Sequence, residues 1–571
     1  MPEKAPPNES SVPQRIVDLL EAEGIRTVFG IPDPVIQHIL RYASDKGFDV
    51  IAPHHEAAGA FMADAMSRMT GRPAVICGNM GPGVANLLPA AVCAAKEKIP
   101  VIFLAGQRAR RYDSRVRRSQ FQYTHQLDLF QPIVKYAGVI EFPEQVDDVM
   151  HEAFRISQSG TPGPVYVELP EDHNLATLPF GPVSPPEQYR VVHQSAPPEA
   201  VRAAVEVLSA ARSPIMLVGT GVHTSRTQPL VTQLARRLGC PVLPTWGGRG
   251  VLPESDDQVL IYSSAQANAA IAEADVVLAV GTSIGETVQY GQGRHWARGN
   301  TDRRWICIER DPNNVGVNRP IDVALIGDLR DVVPQLVAAL ESSPGPKPVA
   351  ALPEWRAALL ADRKALFDAA PDTRPIHPGR MMLEVTRAIP ENTVFVRDGG
   401  CTALWDLGYH ELRCPDYLWT SKFGHLGTGL PYAIGAQLAV GSERRVCLVT
   451  GDSAFQFHLS ELETAVRKKL PIVCVINYDA AWGMEHMPAF AAFGENRDVE
   501  VRWGGARFDR IAEAYGAHGG YVESTADIAP AIRRAFECGR TAVVQIVVDP
   551  RANVFEAPNW EEFSTWYGGD Y

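Results

Sequence analysis

RVCLVTGDSAFQFHLSELETAVRKKLPIVCVINYDAA, residues 445–481, decides the reading of this chain. VCLVT (446–450) is an apolar run of strand length, and it delivers Gly451-Asp452-Ser453 to its carboxyl end. Leu459, Leu462, Ala465 and Val466 then recur at helical spacing. PIVCVIN (471–477) is a second strand, ending at Asn477-Tyr478-Asp479-Ala480-Ala481. In a doubly wound parallel sheet, ligands bind beyond the carboxyl ends of the strands. The unit therefore places Asp452 and Asp479, 27 positions apart (479 − 452), at one edge. Two carboxylates and a main-chain carbonyl such as that of Ala481 are hard oxygen ligands, suited to Mg²⁺ shared with a diphosphate. The competing reading is that both aspartates cap helices or turns.

The same rhythm extends outward. PAVICG (73–78), PVIFLAG (100–106), PIMLVGTG (214–221) and DVVLAVG (275–281) are short apolar runs bounded by Gly, Pro or Asp, several followed by helical patterns. Such alternation predicts an α/β protein with parallel sheets covered on both faces. Residues 178–198, 342–353 and 370–378 are rich in Pro and polar residues and read as linkers. Three doubly wound domains follow, at 12–180, 197–342 and 375–555. The aromatic tail, 556–571, is expected to fold back over a site or an interface. The first and third domains share size and rhythm, a hint of duplication.

Composition narrows the function class. The chain has 571 residues and a net charge of −12, which argues against general nucleic-acid binding. No apolar run approaches the ~18 residues needed to span a bilayer, and the first residues lack a signal-peptide core. The nine cysteines form no CxxC pair, so zinc ribbons and thioredoxin-type sites are not expected, and free thiols suit a reducing cytoplasm. A large soluble multidomain enzyme remains.

GDSAFQFHLSELETAV…LPIVCVINYDAAWGM resembles the thiamin-diphosphate motif, GDG followed about 25–28 residues later by NN. FGIPDPVIQHIL (29–40) is similar to the first-domain loop of that superfamily, and HHEAAGAFMADAMSRMTGRPAVICGNMGPGVANLLPA (54–90) to its catalytic-glutamate segment. RDGGCTALW (397–405) resembles the turn opening the cofactor-binding domain, and SKFGHLGTGLPYAIGAQLA (421–439) the segment beneath the cofactor. The middle domain adds GRGVLPE (248–254), ERDP (309–312) and GD (327–328). The likeness covers nearly the whole chain, in order. It points to the acetolactate synthase, benzoylformate decarboxylase and 2-hydroxyacyl-CoA lyase branch of thiamin-diphosphate enzymes. The fold it implies is three α/β domains: pyrimidine-binding, central and diphosphate-binding.

The resemblance also implies roles. Glu56 matches the glutamate that shares a proton with N1′ of the aminopyrimidine, so that the imino nitrogen can remove the C2 proton; the cofactor carries the electron sink. Leu426 matches the residue propping the cofactor in its bent shape, a proximity effect. The carbonyl of Gly424 would take the 4′-amino group. Asp452, Asp479 and the main chain of Ala481 match the Mg²⁺ ligands. Gly400, Cys401, Thr402, Gly451, Ser453 and Ala454 are expected around the diphosphate, with Trp482, Gly483 and Met484 along the cofactor. Gln122 matches a glutamine that faces the thiazolium. Asp33, Asn79, Tyr123, His125, His425, Glu485 and His486 are expected near C2, where a neutral histidine relays protons near pH 7. Four positions depart from the pattern: Ser453 replaces glycine, Tyr478-Asp479 replaces NN, His425 precedes Leu426, and Pro32-Asp33-Pro34 lacks the usual glycine.

The expected activity is a thiamin-diphosphate- and Mg²⁺-dependent lyase, transferase or carboligase, working through a Breslow enamine. Substrates would be 2-oxo acids, ketones or aldehydes. The family form is a homodimer or homotetramer, in which Glu56 of one chain serves a cofactor held by Asp452 of its partner. The alternatives are a 2-hydroxyacyl-CoA lyase or oxalyl-CoA decarboxylase and, in another class, a catalytically silent cofactor-binding homologue. RARRYDSRVRRSQ (108–120), with six arginines, reads as a solvated charge run or as an anion site for CoA. GTGVHT (219–224) is not a full GxGxxG, and no arginine-containing flavin segment follows DVVLAVGTS, which leaves FAD doubtful.

Overall fold

The computed structural model describes residues 9–112, 120–494, 497, 499–552 and 554–567. The chain forms two compact units: Met1–Val192 with Lys422–Ala439, and His193–Ser421 with Val440–Tyr571.

The first unit is built on a six-stranded parallel sheet of β2 (Thr27–Gly30), β3 (Asp49–Ile51), β4 (Ala74–Gly78), β5 (Val101–Gln107), β6 (Tyr136–Val139) and β7 (Val165–Pro170). Their spatial order is β3-β2-β4-β5-β7-β6. A short antiparallel pair, β1 (Glu9–Ser11) with β8 (Thr177–Pro179), ties the two ends of the domain. Every residue of β4, β5 and β7 is buried, as expected of parallel strands covered on both faces. Helix Glu56–Thr70 is rich in alanine and buried along most of its length. Small residues let its neighbours approach closely: a Cβ on Gly435 of helix Gly429–Val440 would collide with the Met62 carbonyl.

The second unit holds two parallel sheets. The central one has β9 (Pro214–Val218), β10 (Val242–Pro244), β11 (Val276–Val280), β12 (Arg304–Glu309) and β13 (Val323–Ile326), in the order β10-β9-β11-β12-β13. The third has β14 (Val394–Asp398), β15 (Tyr417–Leu418), β16 (Val446–Gly451), β17 (Val473–Tyr478), β18 (His518–Val522) and β19 (Ala542–Val547). Its order, β15-β14-β16-β17-β19-β18, repeats that of the first sheet strand for strand.

A buried ionic network lies within this unit. Glu254 bonds Arg249 (2.6 Å) and Arg363 (2.9 Å), while Asp406 meets Arg249 (3.2 Å), His410 (2.8 Å) and Tyr417 (2.5 Å). Burial alone would raise the Glu254 carboxyl, but the charges of Arg249 and Arg363 outweigh it and hold it at about 2. Burial also opposes ionisation of Asp406, yet His410, Arg249 and Arg397 keep it well below the usual carboxylate range.

Two features differ from the sequence reading. The helical pattern after Gly451 divides into Asp452–Gln456 and Glu461–Arg467, though Leu462 and Ala465 are buried as their spacing predicts. Helix Leu352–Asp368 takes the last two residues of the linker expected at 342–353 and ends before the one at 370–378. The tail folds back on the central domain: Glu562, 3% exposed, bonds His295 (2.8 Å) and Arg294 (3.0 Å). No described helix is long and apolar enough to cross a membrane.

Candidate active site

In the third sheet, chain order reverses between β14 and β16, the point where open α/β sheets bind ligands. Asp398-Gly399-Gly400 leaves β14 there, and Gly451-Asp452 leaves β16. Asp452 is 1% exposed. Its Oδ1 accepts from the Ser453 amide (2.7 Å) and its Oδ2 from the Ala480 amide (2.9 Å). Asp479 Oδ1 accepts from the Ala481 amide (3.1 Å). Residues 480–482 are strapped from outside: Trp482 donates its amide to Val501 (2.8 Å), and Trp503 donates to Ala480 (3.0 Å). The Trp482 ring packs edge-on against Trp503 (5.4 Å) and Phe457 (6.2 Å).

Burial raises both Asp452 and Asp479, and the charge of Asp479 raises Asp452 further. One buried and one half-buried carboxylate, with no cationic side chain among their hydrogen-bond partners in the described residues, form a donor set suited to a divalent ion. Among the described residues no cluster of three or more His, Cys, Asp or Glu side chains forms a metal site.

The surroundings suit a diphosphate. Helix Gly400–Tyr409 begins at the reversal point, and the buried Thr402 Oγ1 has no hydrogen-bond partner among the described residues. Asn477 Oδ1, at the end of β17, is likewise buried and unpaired among the described residues. A Cβ on Gly400 would strike Met484; one on Gly483 would lie 2.5 Å from Asp479 Oδ2 and 2.9 Å from Cys401 Sγ. The glycines thus let the two turns close up. Burial, then the charges of Asp479, Glu485 and Asp452, push the Cys401 thiol far up, so it stays protonated. Ala454 and His486 are buried, and Glu485 is exposed.

The other expected residues lie in the first unit. His55 caps helix Glu56–Thr70, its Nδ1 accepting from the Ala57 amide (3.1 Å), and so fixes where Glu56 begins the helix. Glu56 Oε2 accepts from Asn86 Nδ2 (2.9 Å), and a Cβ on Gly83 would lie 3.1 Å from Glu56 Oε1. Asn86 and Gly83 come from helix Pro82–Glu97. Asn86 was not singled out in the sequence, because a separation of 30 positions from Glu56 carries no local signal.

Glu97 ends that helix and is 2% exposed; its Oε1 accepts from the amides of Lys422 (2.6 Å) and Phe423 (3.0 Å). It thereby anchors the turn leading to Gly424, which takes φ +64°. His425 follows, with Nδ1 2.6 Å from the Leu426 carbonyl and its ring 5.1 Å from Phe61. Leu426 is half-buried.

The remaining candidates have local roles too. Asp33 Oδ1 accepts from the Val35 amide (3.0 Å), closing its turn, and Asn79 Oδ1 accepts from the Met80 amide (2.7 Å). Tyr123 and His125 meet edge to face at 5.5 Å. Gln122 packs its main chain on Gly81.

The arginine-rich run lies partly outside the described residues, at 113–119. Of its described members, Arg108 bonds the Phe121 carbonyl (2.6 Å), Arg110 pairs with Glu141 (2.6 Å), and Arg111 lies over the Tyr112 ring (4.9 Å). In the central domain, Gly219 and Gly221 are taken up by close packing on Gly281: the Gly221 amide bonds the Gly281 carbonyl (2.9 Å).

Comparison with known proteins identifies the domains that carry these residues. Residues 11–130 match the N-terminal TPP binding domain of thiamine pyrophosphate enzymes, residues 201–336 their central domain, and residues 398–546 their C-terminal TPP binding domain. A probable acetolactate synthase large subunit of Methanococcus aeolicus is 26% identical, over 95% of this chain and 93% of its own length. The acetolactate synthase of Bacillus subtilis (strain 168) is 29% identical, over 94% and 93%. Acetolactate synthase large subunit IlvG of Mycobacterium tuberculosis is 29% identical, over 96% and 97%. All three domains being present in order, the chain belongs to the thiamin-diphosphate-dependent enzymes of the acetolactate synthase superfamily.

Proposed function

We propose that the protein is a thiamin-diphosphate- and Mg²⁺-dependent carboligase that joins small 2-oxo acids in an acetolactate-type reaction. The observation that carries this reading is the turn pair at β16 and β17, where the buried Asp452 and the half-buried Asp479 come together beside the closely packed Gly483. Asp452, Asp479 and the Ala481 carbonyl would hold the ion. Thr402, Ser453 and the amides at the start of helix Gly400–Tyr409 would hold the diphosphate.

When bound, thiamin diphosphate supplies a nucleophilic carbon and an electron sink next to the substrate carbonyl. Glu56 holds a proton at the pyrimidine N1′, oriented by Asn86. The Gly424 carbonyl would accept from the pyrimidine amino group, and Leu426 would pack beneath the cofactor. Gln122 and His425 face the reacting carbonyl, with Asp33, Asn79, Tyr123, His125, Glu485 and His486 shaping the pocket. The assembly is a homodimer or homotetramer, in which Glu56 of one chain serves its partner. Domain limits at 12–180, 197–342 and 375–555 and a cytoplasmic location complete the proposal; FAD is not part of it.

The coenzyme A alternatives are not favoured. The similar proteins named above are acetolactate synthases, and Arg108 and Arg110 already serve protein partners. A fluorescence titration with thiamin diphosphate, with and without Mg²⁺, should show ion-dependent binding. Exchange of the C2 proton and formation of an acetolactate-type product from pyruvate should follow. Binding with neither exchange nor product would support the silent homologue instead. An active monomer in sedimentation would remove the shared-site assembly.

A further inference from the structure

Gln122 sits in a strained turn. Its φ is +58°, a left-handed conformation that L residues with a Cβ avoid by roughly 1 kcal/mol or more. Its carbonyl fills the space that a Cβ on Gly81 would need, and Gly81 itself has φ +67°. Two irregular backbones therefore meet at this point, and an external clamp must keep them there.

Gln126 supplies such a clamp. It is fully buried, at 0% exposure, four residues after Gln122. Its Oε1 accepts from the Gly81 amide (2.6 Å), and its Nε2 donates to the Gly106 carbonyl (3.0 Å) at the end of β5. The Gly81 N–H can only donate and the Gly106 C=O only accept, so the Gln126 amide has one productive orientation. Behind it, Nε2 also reaches Tyr166 Oη (3.3 Å) and Glu168 Oε1 (3.4 Å). Tyr166 donates to Glu168 Oε1 (2.8 Å), and Gln107 donates to Oε2 (3.2 Å). Phe130, at the far end of the helix Gln126–Phe130, stacks on Tyr166 at 4.2 Å. One amide thus joins the Gly81 turn, the Gln122 loop, and the ends of β5 and β7.

We propose that Gln126 is a positioning residue for the proposed carboligation: it holds Gln122 at the reacting carbonyl by clamping the loop to Gly81 and Gly106. The proposal rests on the carboligase reading and on Gln122 facing the substrate. Small displacements of an aligned group cost large factors in rate. Gln126→Leu removes the acceptor of the Gly81 amide and a donor to the Gly106 carbonyl. Gln126→Glu keeps an acceptor for Gly81 but removes the donor and sets a carboxylate beside Glu168.

The test is a double-mutant cycle on holoenzyme, with pyruvate as substrate. Gln126→Leu should lower kcat/KM by about tenfold to hundredfold. Mg²⁺-dependent cofactor affinity and C2-proton exchange should stay at wild-type values. In a Gln122→Ala background the same replacement should change kcat/KM less than twofold, because the group it positions is gone. Gly81→Ala, which pushes the Gln122 carbonyl from the opposite side, should reproduce the defect. Should Gln126→Leu not fold, Gln126→Glu and Gly81→Ala carry the same cycle. Equal losses in both backgrounds, or C2 exchange falling in step with turnover, would overturn the positioning role. Wild-type kcat/KM in Gln122→Ala would overturn it as well. Wild-type enzyme that binds thiamin diphosphate but consumes no 2-oxo acid would overturn the carboligase reading, and this proposal with it.

Discussion

The sheet of β2–β7 and the sheet of β14–β19 order their six strands identically, yet their carboxyl edges carry opposite chemistry. After β4 the first sheet has Asn79-Met80-Gly81; after β16 the third has Gly451-Asp452-Ser453. After β3 the first sheet starts a helix on Glu56; after β15 the third reaches Gly424-His425-Leu426 before helix Gly429–Val440. One edge presents Glu56, a carboxylate held by an amide side chain. The other presents two carboxylates raised by burial and held by backbone amides. The comparison teaches that a common strand order fixes where loops emerge and leaves their chemistry open. It also gives the likeness of rhythm between the first and third domains a structural counterpart.

The sharpest way to break this division of labour is to remove one group from each edge. Glu56→Gln should lower turnover by about 10²–10⁴-fold while cofactor affinity stays near wild type. Titration and steady-state kinetics on one preparation check both. Asp452→Asn should do the reverse at the binding step, weakening Mg²⁺-dependent cofactor affinity on the order of a hundredfold. The same loss of affinity in Glu56→Gln would mean that the two edges do not divide the work.

A second contrast concerns stability. The ionic network around Glu254 is confined to the unit that holds the third sheet. Glu254→Gln should destabilise that unit by about 3–5 kcal/mol, since Arg249 and Arg363 lose a buried counter-charge. Urea unfolding followed by tryptophan fluorescence reads the change. The pH dependence has a definite sign. Glu254 falls from 4.5 to about 2 on folding, so its contribution is complete above about pH 4.5 and is lost as pH falls toward 2. Stability that did not decline across that window would remove the network from the account.

The smallest expected effect tests helix packing in the first unit. Gly435→Ala places a methyl against the Met62 carbonyl and should cost about 1–3 kcal/mol. Latching by the tail is of similar size: Glu562→Gln should lower the midpoint of thermal unfolding by a few degrees, as one buried charged bond pair weakens.

Much of the fold was legible because its signals are local. β4, β5, β16 and β17 appear as continuous apolar runs, since strands covered on both faces need no alternation. Asp452 and Asp479 were legible because each directly follows such a run. The break between helices Asp452–Gln456 and Glu461–Arg467 was not, because the buried positions keep helical spacing across the turn. Asn86, Glu97 and Gln126 were missed for another reason. Each is an ordinary polar residue whose partner lies 30, 325 or 45 positions away.

The order of residues by itself determined the alternation of strands and helices, the places where carboxylates and glycines leave the strands, and the family likeness. Those follow from short-range rules of burial periodicity and turn chemistry. Only the tertiary structure decided which side chains hold the functional ones in place: Asn86 on Glu56, Glu97 on the approach to Gly424, Gln126 on Gly81. A hydrogen bond is directional and acts over about 3 Å, so its partner is chosen by the packing of distant segments and leaves no periodic trace along the chain.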